Sequence, residues 1–124
     1  MKEKIVAFCL FFLVIGFVIA NTIVLDRQIG NLCVATKELE IKEENVEQSK
    51  KDALKLYEDF RKRETFISLT VNHEDLTNIE ESFSEIIGYL SVGNVSDAKV
   101  TQNRLFDSFE HLRRLSGLNI DSII

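Results

Sequence analysis

The chain is 124 residues long, 45% hydrophobic and 28% charged, with no proline, no tryptophan and five glycines, which leaves room for one small domain. A net charge of −5 argues against a nucleic-acid footprint, two cysteines cannot build a disulfide framework, and the absence of proline argues against a sandwich or barrel of short strands. The expected fold class is all-α, and the charge is unevenly placed: only Lys2, Glu3 and Lys4 precede a stretch from Ile5 to Leu25 with no charged side chain.

The amino-terminal segment starts with Lys2 and Lys4 and continues as an unbroken apolar run from Ile5 to Ala20. Asn21 and Thr22 interrupt it mildly before Ile23, Val24 and Leu25 resume it. As a helix, Ile5 to Leu25 is about 32 Å long, close to the roughly 30 Å hydrocarbon core of a bilayer. Residues 1–25 are therefore expected to be a single-pass membrane anchor. A cleaved signal peptide is the competing reading, because Ala20 with Val18 two positions earlier resembles a processing site. Continued apolarity to Leu25 and the lack of a small residue at position 18 favour an uncleaved anchor. Neither Cys9 nor Cys33 stands where a lipoprotein signal places its cysteine. Lys2 and Lys4 favour an inside amino terminus while Arg27, Lys37 and Lys42 oppose it; the body is expected outside the cytoplasm.

Residues 26–118 are expected to form a helical bundle and residues 119–124 a tail. No helix breaker intervenes between Asn31 and about Glu44, so the membrane helix is expected to run into the first helix of the body, burying Leu32, Cys33, Leu39 and Ile41. A second helix starts near Asn45 and sets Val46, Ala53, Tyr57, Phe60, Ile67 and Val71 on one face. A third, capped by Asn72, carries Leu76, Ile79, Phe83, Ile86, Ile87 and Leu90 at helical spacing. After a turn at Ser91, Gly93 and Asn94, a fourth helix buries Ala98, Leu105, Phe109 and Leu112 and ends around Arg113, Arg114 and Gly117. The segment from Glu44 to Phe60 can be laid over Gly93 to Phe109, matching Asn45, Val46, Lys50, Leu56 and Phe60 with Asn94, Val95, Lys99, Leu105 and Phe109. That internal repeat describes two similar helical hairpins, and it leads to the expectation of an antiparallel bundle of tetratricopeptide-like units.

The run ETFISLTVNHEDLTNIE, from Glu64 to Glu80, and the ending FEHLRRLSGLNIDSII resemble the uncharacterised bacterial family "domain of unknown function 4363", known mainly from Firmicutes. Its motif H-E-x-[IL]-x-N-I-E is present as His73, Glu74, Leu76, Asn78, Ile79 and Glu80. A second signature near the end is approximated by Leu115, Leu118, Asn119, Ile120, Ile123 and Ile124. Phe66 stands where members often have tryptophan, and Thr77 where they have an acidic residue. The resemblance implies one N-terminal membrane segment followed by a helical body, no enzymatic activity, and, from frequent encoding beside multi-pass membrane proteins, an accessory role.

Folding the third helix back on the fourth about Gly93 sets His73 opposite His111, with Glu74 and Asp75 adjacent. Imidazoles and carboxylates together are ligand types that zinc accepts, but a structural polar clasp of His73, Glu74, Asp75 and His111 is the stronger reading, and no metal is expected. Arg61, Lys62 and Arg63, flanked by Asp59 and Glu64, read as a solvated helix face that could also meet anionic headgroups. No histidine pair at i and i+4, nucleophile elbow or glycine-rich phosphate loop is present, so no catalytic residue, cofactor or enzymatic activity is expected. The leading expectation is a membrane-anchored interaction protein, with the bilayer and a multi-pass membrane protein or a second copy as partners, and Glu74, Glu80 and Arg113 as the surface to test. The alternative is a small extracytoplasmic sensor or ligand-binding bundle.

Overall fold

A computed structural model describes the backbone of residues 1–123 and the side chains of residues 1–115. Four helices follow in chain order: α1 (Lys2–Glu38), α2 (Val46–Ser68), α3 (His73–Ser91) and α4 (Val95–Ile123), with a short 3-10 turn, Glu43–Asn45, ahead of α2. Among the described residues there is no strand, in keeping with the all-α expectation.

The 37 residues of α1 make one helix about 55 Å long. Its first part is apolar on every side and exposed, with Ile5, Phe8, Phe11, Leu13 and Phe17 all outward. A helix apolar all round is stable in water only if something covers it, and α1 is long and apolar enough to cross a membrane. From Thr22 onward the same helix changes character: Thr22, Leu25, Ile29, Leu32, Cys33 and Thr36 form a buried stripe at helical spacing. The two threonines are tolerated there because each hydroxyl donates to the carbonyl one turn back, Thr22 Oγ1 to Val18 and Thr36 Oγ1 to Leu32, both at 2.8 Å.

The expected continuity of the membrane helix into the body holds as far as Glu38, short of the expected Glu44. Leu39 turns extended and the helix stops. Gln102 of α4 braces the stopped end. Its Nε2 donates to Leu39 O at 2.6 Å and to Thr36 O at 2.8 Å, the latter carbonyl also accepting from Leu39 N at 3.3 Å. Ser49 secures the other side of the connection: it accepts from Lys42 N at 3.0 Å and donates toward Glu40 O and Asn45 O. Ile41 is thereby tucked into the core.

Asparagine opens each of the three following helices. Asn45 Oδ1 accepts from Gln48 N, Asn72 Oδ1 from Glu74 N and Asn94 Oδ1 from Asp97 N, each at 3.2 Å. Between α3 and α4, Gly93 adopts φ 74°, and Asn94 N donates to Tyr89 O while Gly93 N donates to Leu90 O, the paired bonds that close a helix on a left-handed residue. α4 does not stop near Gly117 as the sequence suggests but stays helical to Ile123, so the backbone of residues 119–123 continues α4. The last-signature side chains Leu118, Asn119, Ile120, Ile123 and Ile124 lie outside the described residues.

With three short connections, neighbouring helices run antiparallel. α4 packs on both α1 and α3, α2 packs on α3, and α1 meets α2 more sparsely. The lower part of α1 is thus the fourth wall of a closed four-helix bundle. The tetratricopeptide-like stacking expected from the repeat is not confirmed: the first and last helices, α1 and α4, also pack on each other. What the repeat does predict is the placement of Phe60 and Phe109. Both are fully buried, and with Tyr57 and Phe83 they form an aromatic centre with ring centroids 5.0 to 6.2 Å apart. Phe83 touches the other three rings, so Phe83→Ala should lower the free energy of unfolding by about 3 to 5 kcal/mol, measured by chemical denaturation of the full chain in detergent. A loss below about 1 kcal/mol would mean that this cluster is not the packed centre.

Candidate functional site

The residues singled out at the start of α3 divide between two faces of that helix. Positions two apart on a helix point in nearly opposite directions, so His73 and Asp75 cannot serve one site from the same turn. Asp75, with Asn78, shares a groove of about 400 Å³ with Arg104, Asp107, Ser108 and His111 of α4. Arg104 also reaches Glu85 at 3.4 Å. His73 lies on the other side, close enough to Glu64 of α2 for its charge to act on that carboxyl. Glu74 is exposed, its backbone N–H held by the Asn72 cap. Of the expected cluster, Asp75 and His111 line one groove, and His73 belongs to the α2–α3 side. Among the described residues no group of three or more His, Cys, Asp or Glu side chains is placed to hold a metal ion.

Glu64 and Glu80 meet across α2 and α3. The Glu64 carboxyl is pushed above its ordinary range by a hydrogen bond with Glu80, then by burial and by the Glu80 charge, while Arg61 and His73 oppose the shift. Glu80 is half-buried by this arrangement and does not stand out as a contact point.

Arg113, the other expected surface residue, ties two helices together. Its Nε lies 3.3 Å from Asp26 Oδ1 on α1. The guanidinium rests against the α1 backbone at Gly30, where an added Cβ would come 3.5 Å from Arg113 Cζ. Arg114 pairs with Glu110 one turn back at 3.6 Å. The basic cluster of α2 separates in the same way: Arg63 pairs with Asp59 at 3.5 Å, Arg61 lies over Tyr57, and Lys62 edges a groove. Cys9 is exposed on the apolar part of α1; Cys33 is buried with Sγ 4.0 Å from Phe106 O.

That groove, between α1 and α2, escaped the sequence reading. Ala35, Leu39 and Leu56 floor it, and Asp52, Lys55, Glu58, Asp59 and Lys62 rim it, around about 450 Å³. It exists because α1 and α2 are the least closely packed neighbours. An apolar floor with a rim of both charge signs suits a protein surface better than a small charged ligand.

The family model for "Domain of unknown function (DUF4363)" matches residues 27–123. The chain belongs to this family. No match was found among curated proteins or among solved structures. The motif that carried the resemblance has a structural meaning in this fold. Leu76 and Ile79 are core residues of α3, Asn78 borders the α3–α4 groove, and His73 and Glu80 face the Glu64 side.

The Glu64 and Glu80 arrangement gives a pH signature. A folded-state pKa above the unfolded value means that the pair favours the fold fully below the ordinary carboxylate range, and that this contribution is lost as pH rises through the raised value. Glu64→Gln keeps a donor for Glu80 and removes the charge. It should raise the Tm at about pH 7 and leave it unchanged below about pH 4. Thermal melts at the two pH values check this, and equal melting of variant and parent at both would show that the raised Glu64 carboxyl does not bear on stability.

Proposed function

We propose that the chain is a membrane-tethered interaction module, an accessory protein whose bundle stands outside the cytoplasm and binds a membrane protein or a second copy of itself. The observation that carries this reading is the double use of α1, whose first part is apolar and exposed while its second part is a wall of the bundle. A tether of that kind has no flexible linker. It sets the height and direction of the bundle relative to the bilayer, and confinement to the membrane raises the effective concentration of any partner held there, so modest contacts suffice. The groove between α1 and α2 is the face offered: Ala35 and Leu39 at its floor are only partly buried, and it lies against the same helix that carries the anchor.

Two measurements test this reading. A reporter active only outside the cytoplasm, fused after Ile124, should be active, and a reporter that matures only inside should stay dark; the reverse pattern would overturn the proposed side. A photo-crosslinking residue at Lys55, on the groove, should give a discrete protein adduct in native membranes. The same residue at Val100, exposed on α4, should give none. Adducts at both positions or at neither would contradict the groove as the binding face.

A further inference from the structure

The contacts between helices fix which residues stand at the same height along the bundle. On α1 and α4, Thr36 meets Gln102, Cys33 meets Phe106 and Asp26 meets Arg113, so one helix descends residue for residue as the other ascends. On α3 and α4, Asn78 and Ser108 share a groove with Asp75 and His111 in the same antiparallel order. On α2 and α3, Tyr57 and Phe60 pack on Phe83, and Glu64 bonds with Glu80 one turn lower. Followed to the end, these pairings bring the turn between α2 and α3, residues 69–72, to the height of Arg114 on α4 and within about one helical turn, ~5 Å, of Leu25 on α1. Leu25 is the residue at which the uncharged stretch ends. Resting on the reading of α1 as a membrane span, we propose that this turn is a second membrane contact, with Leu69 entering the headgroup and upper acyl region of the bilayer that α1 crosses.

The chemistry of the turn fits that occupant. Leu69 is 80% exposed, the most exposed large apolar side chain of the bundle among the described residues, and Leu115 is exposed at nearly the same height on α4. A leucine held this close to a hydrocarbon boundary gains by leaving water. The backbone is prepared for a less polar medium too: the N–H groups of Leu69, Thr70 and Val71 donate to Phe66 O, Ile67 O and Ile67 O at 3.0 to 3.3 Å, so none of the three enters unpaired. The charges around this end are mixed. Asp26 pairs with Arg113 and Glu110 with Arg114, while Arg27 is exposed with an apolar stem suited to a headgroup layer. The partner is therefore the bilayer interface itself, entered by an apolar side chain, and not a specific anionic lipid. With α1 as one point of attachment and the turn as a second, the bundle cannot swing about α1, and the α1–α2 groove keeps a fixed direction relative to the membrane.

The absence of tryptophan makes a direct test available. The full chain is reconstituted in lipid nanodiscs, with and without bromine high on the acyl chains, as three single-tryptophan variants. Leu69→Trp probes the turn, Phe12→Trp the apolar part of α1, and Val92→Trp the opposite end of the bundle, where Val92 is 79% exposed. All three positions are exposed, so none disturbs the core, and retained helical circular dichroism verifies the fold. The proposal expects Leu69→Trp and Phe12→Trp to lose most of their emission in the brominated discs and Val92→Trp to keep its own. Emission retained by Leu69→Trp while Phe12→Trp is quenched overturns the turn contact and leaves the anchor standing. Quenching at both Leu69→Trp and Val92→Trp overturns the upright geometry in favour of a bundle lying on the surface. Emission retained by Phe12→Trp removes the membrane span and the turn contact together.

Discussion

A single helix that must satisfy two surroundings is the constraint on which the rest of this structure depends. From Ile5 to about Ile19, α1 offers apolar side chains in every direction; from Thr22 to Thr36 it buries one stripe, and its remaining side chains include charged and polar ones beside the exposed Ile23, Val24 and Val34. The backbone hydrogen bonds run through the change without interruption, so the two parts cannot be oriented independently. Whatever holds the first part also aims the bundle. The lower end is then fixed by α4: Arg113 lies across Gly30 and meets Asp26, the Phe106 carbonyl lies beside Cys33, and Gln102 donates to the carbonyls of Thr36 and Leu39. α4 is therefore the helix that turns a long N-terminal helix with a hairpin attached into a closed bundle, and α2 and α3 fill the remaining side around the four aromatic rings.

The parts of this arrangement that could be read from the residues are those governed by local rules. Helix starts at Asn45, Asn72 and Asn94 follow from an asparagine placed before an apolar-periodic run, and the buried faces of α3 and α4 follow from spacing. The continuation of α1 beyond the apolar stretch follows from the lack of any breaker. Contacts governed by sequence-distant partners were not legible. Nothing local marks Gln102 as the partner of carbonyls 66 and 63 positions earlier, and nothing local decides whether two hairpins stack in a row or close on a wall supplied by the N-terminal helix. The repeat pointed toward stacking because amphipathic helices with the same cap look alike whichever way they pack.

The polar residues show the same division. His73 and His111 were placed opposite each other by counting back from the Gly93 turn, which gives height along the bundle and not the direction in which a side chain points. Helical rotation sends His73 toward Glu64 and leaves Asp75 beside His111. Arg113 was expected on an exposed surface, and its partner Asp26 lies on α1, far away in the chain. The groove between α1 and α2 is a property of two faces that fit loosely, which periodicity within either helix does not report. A motif that is recognisable at family level, His73 to Glu80, is in this fold largely a device for starting α3 and seating Leu76 and Ile79 in the core.

The central claim is that anchor and bundle wall are one uninterrupted helix. Amide hydrogen exchange on the full chain in a bilayer tests it most directly, because a break in the helix exposes backbone amides to rapid exchange while a packed or lipid-embedded helix protects them. The account predicts protection that passes without a gap through Asn21 to Gln28 and falls away only after Glu38. Rapid exchange confined to Asn21 to Gln28, with protected segments on either side, would show a hinge between anchor and bundle and contradict it.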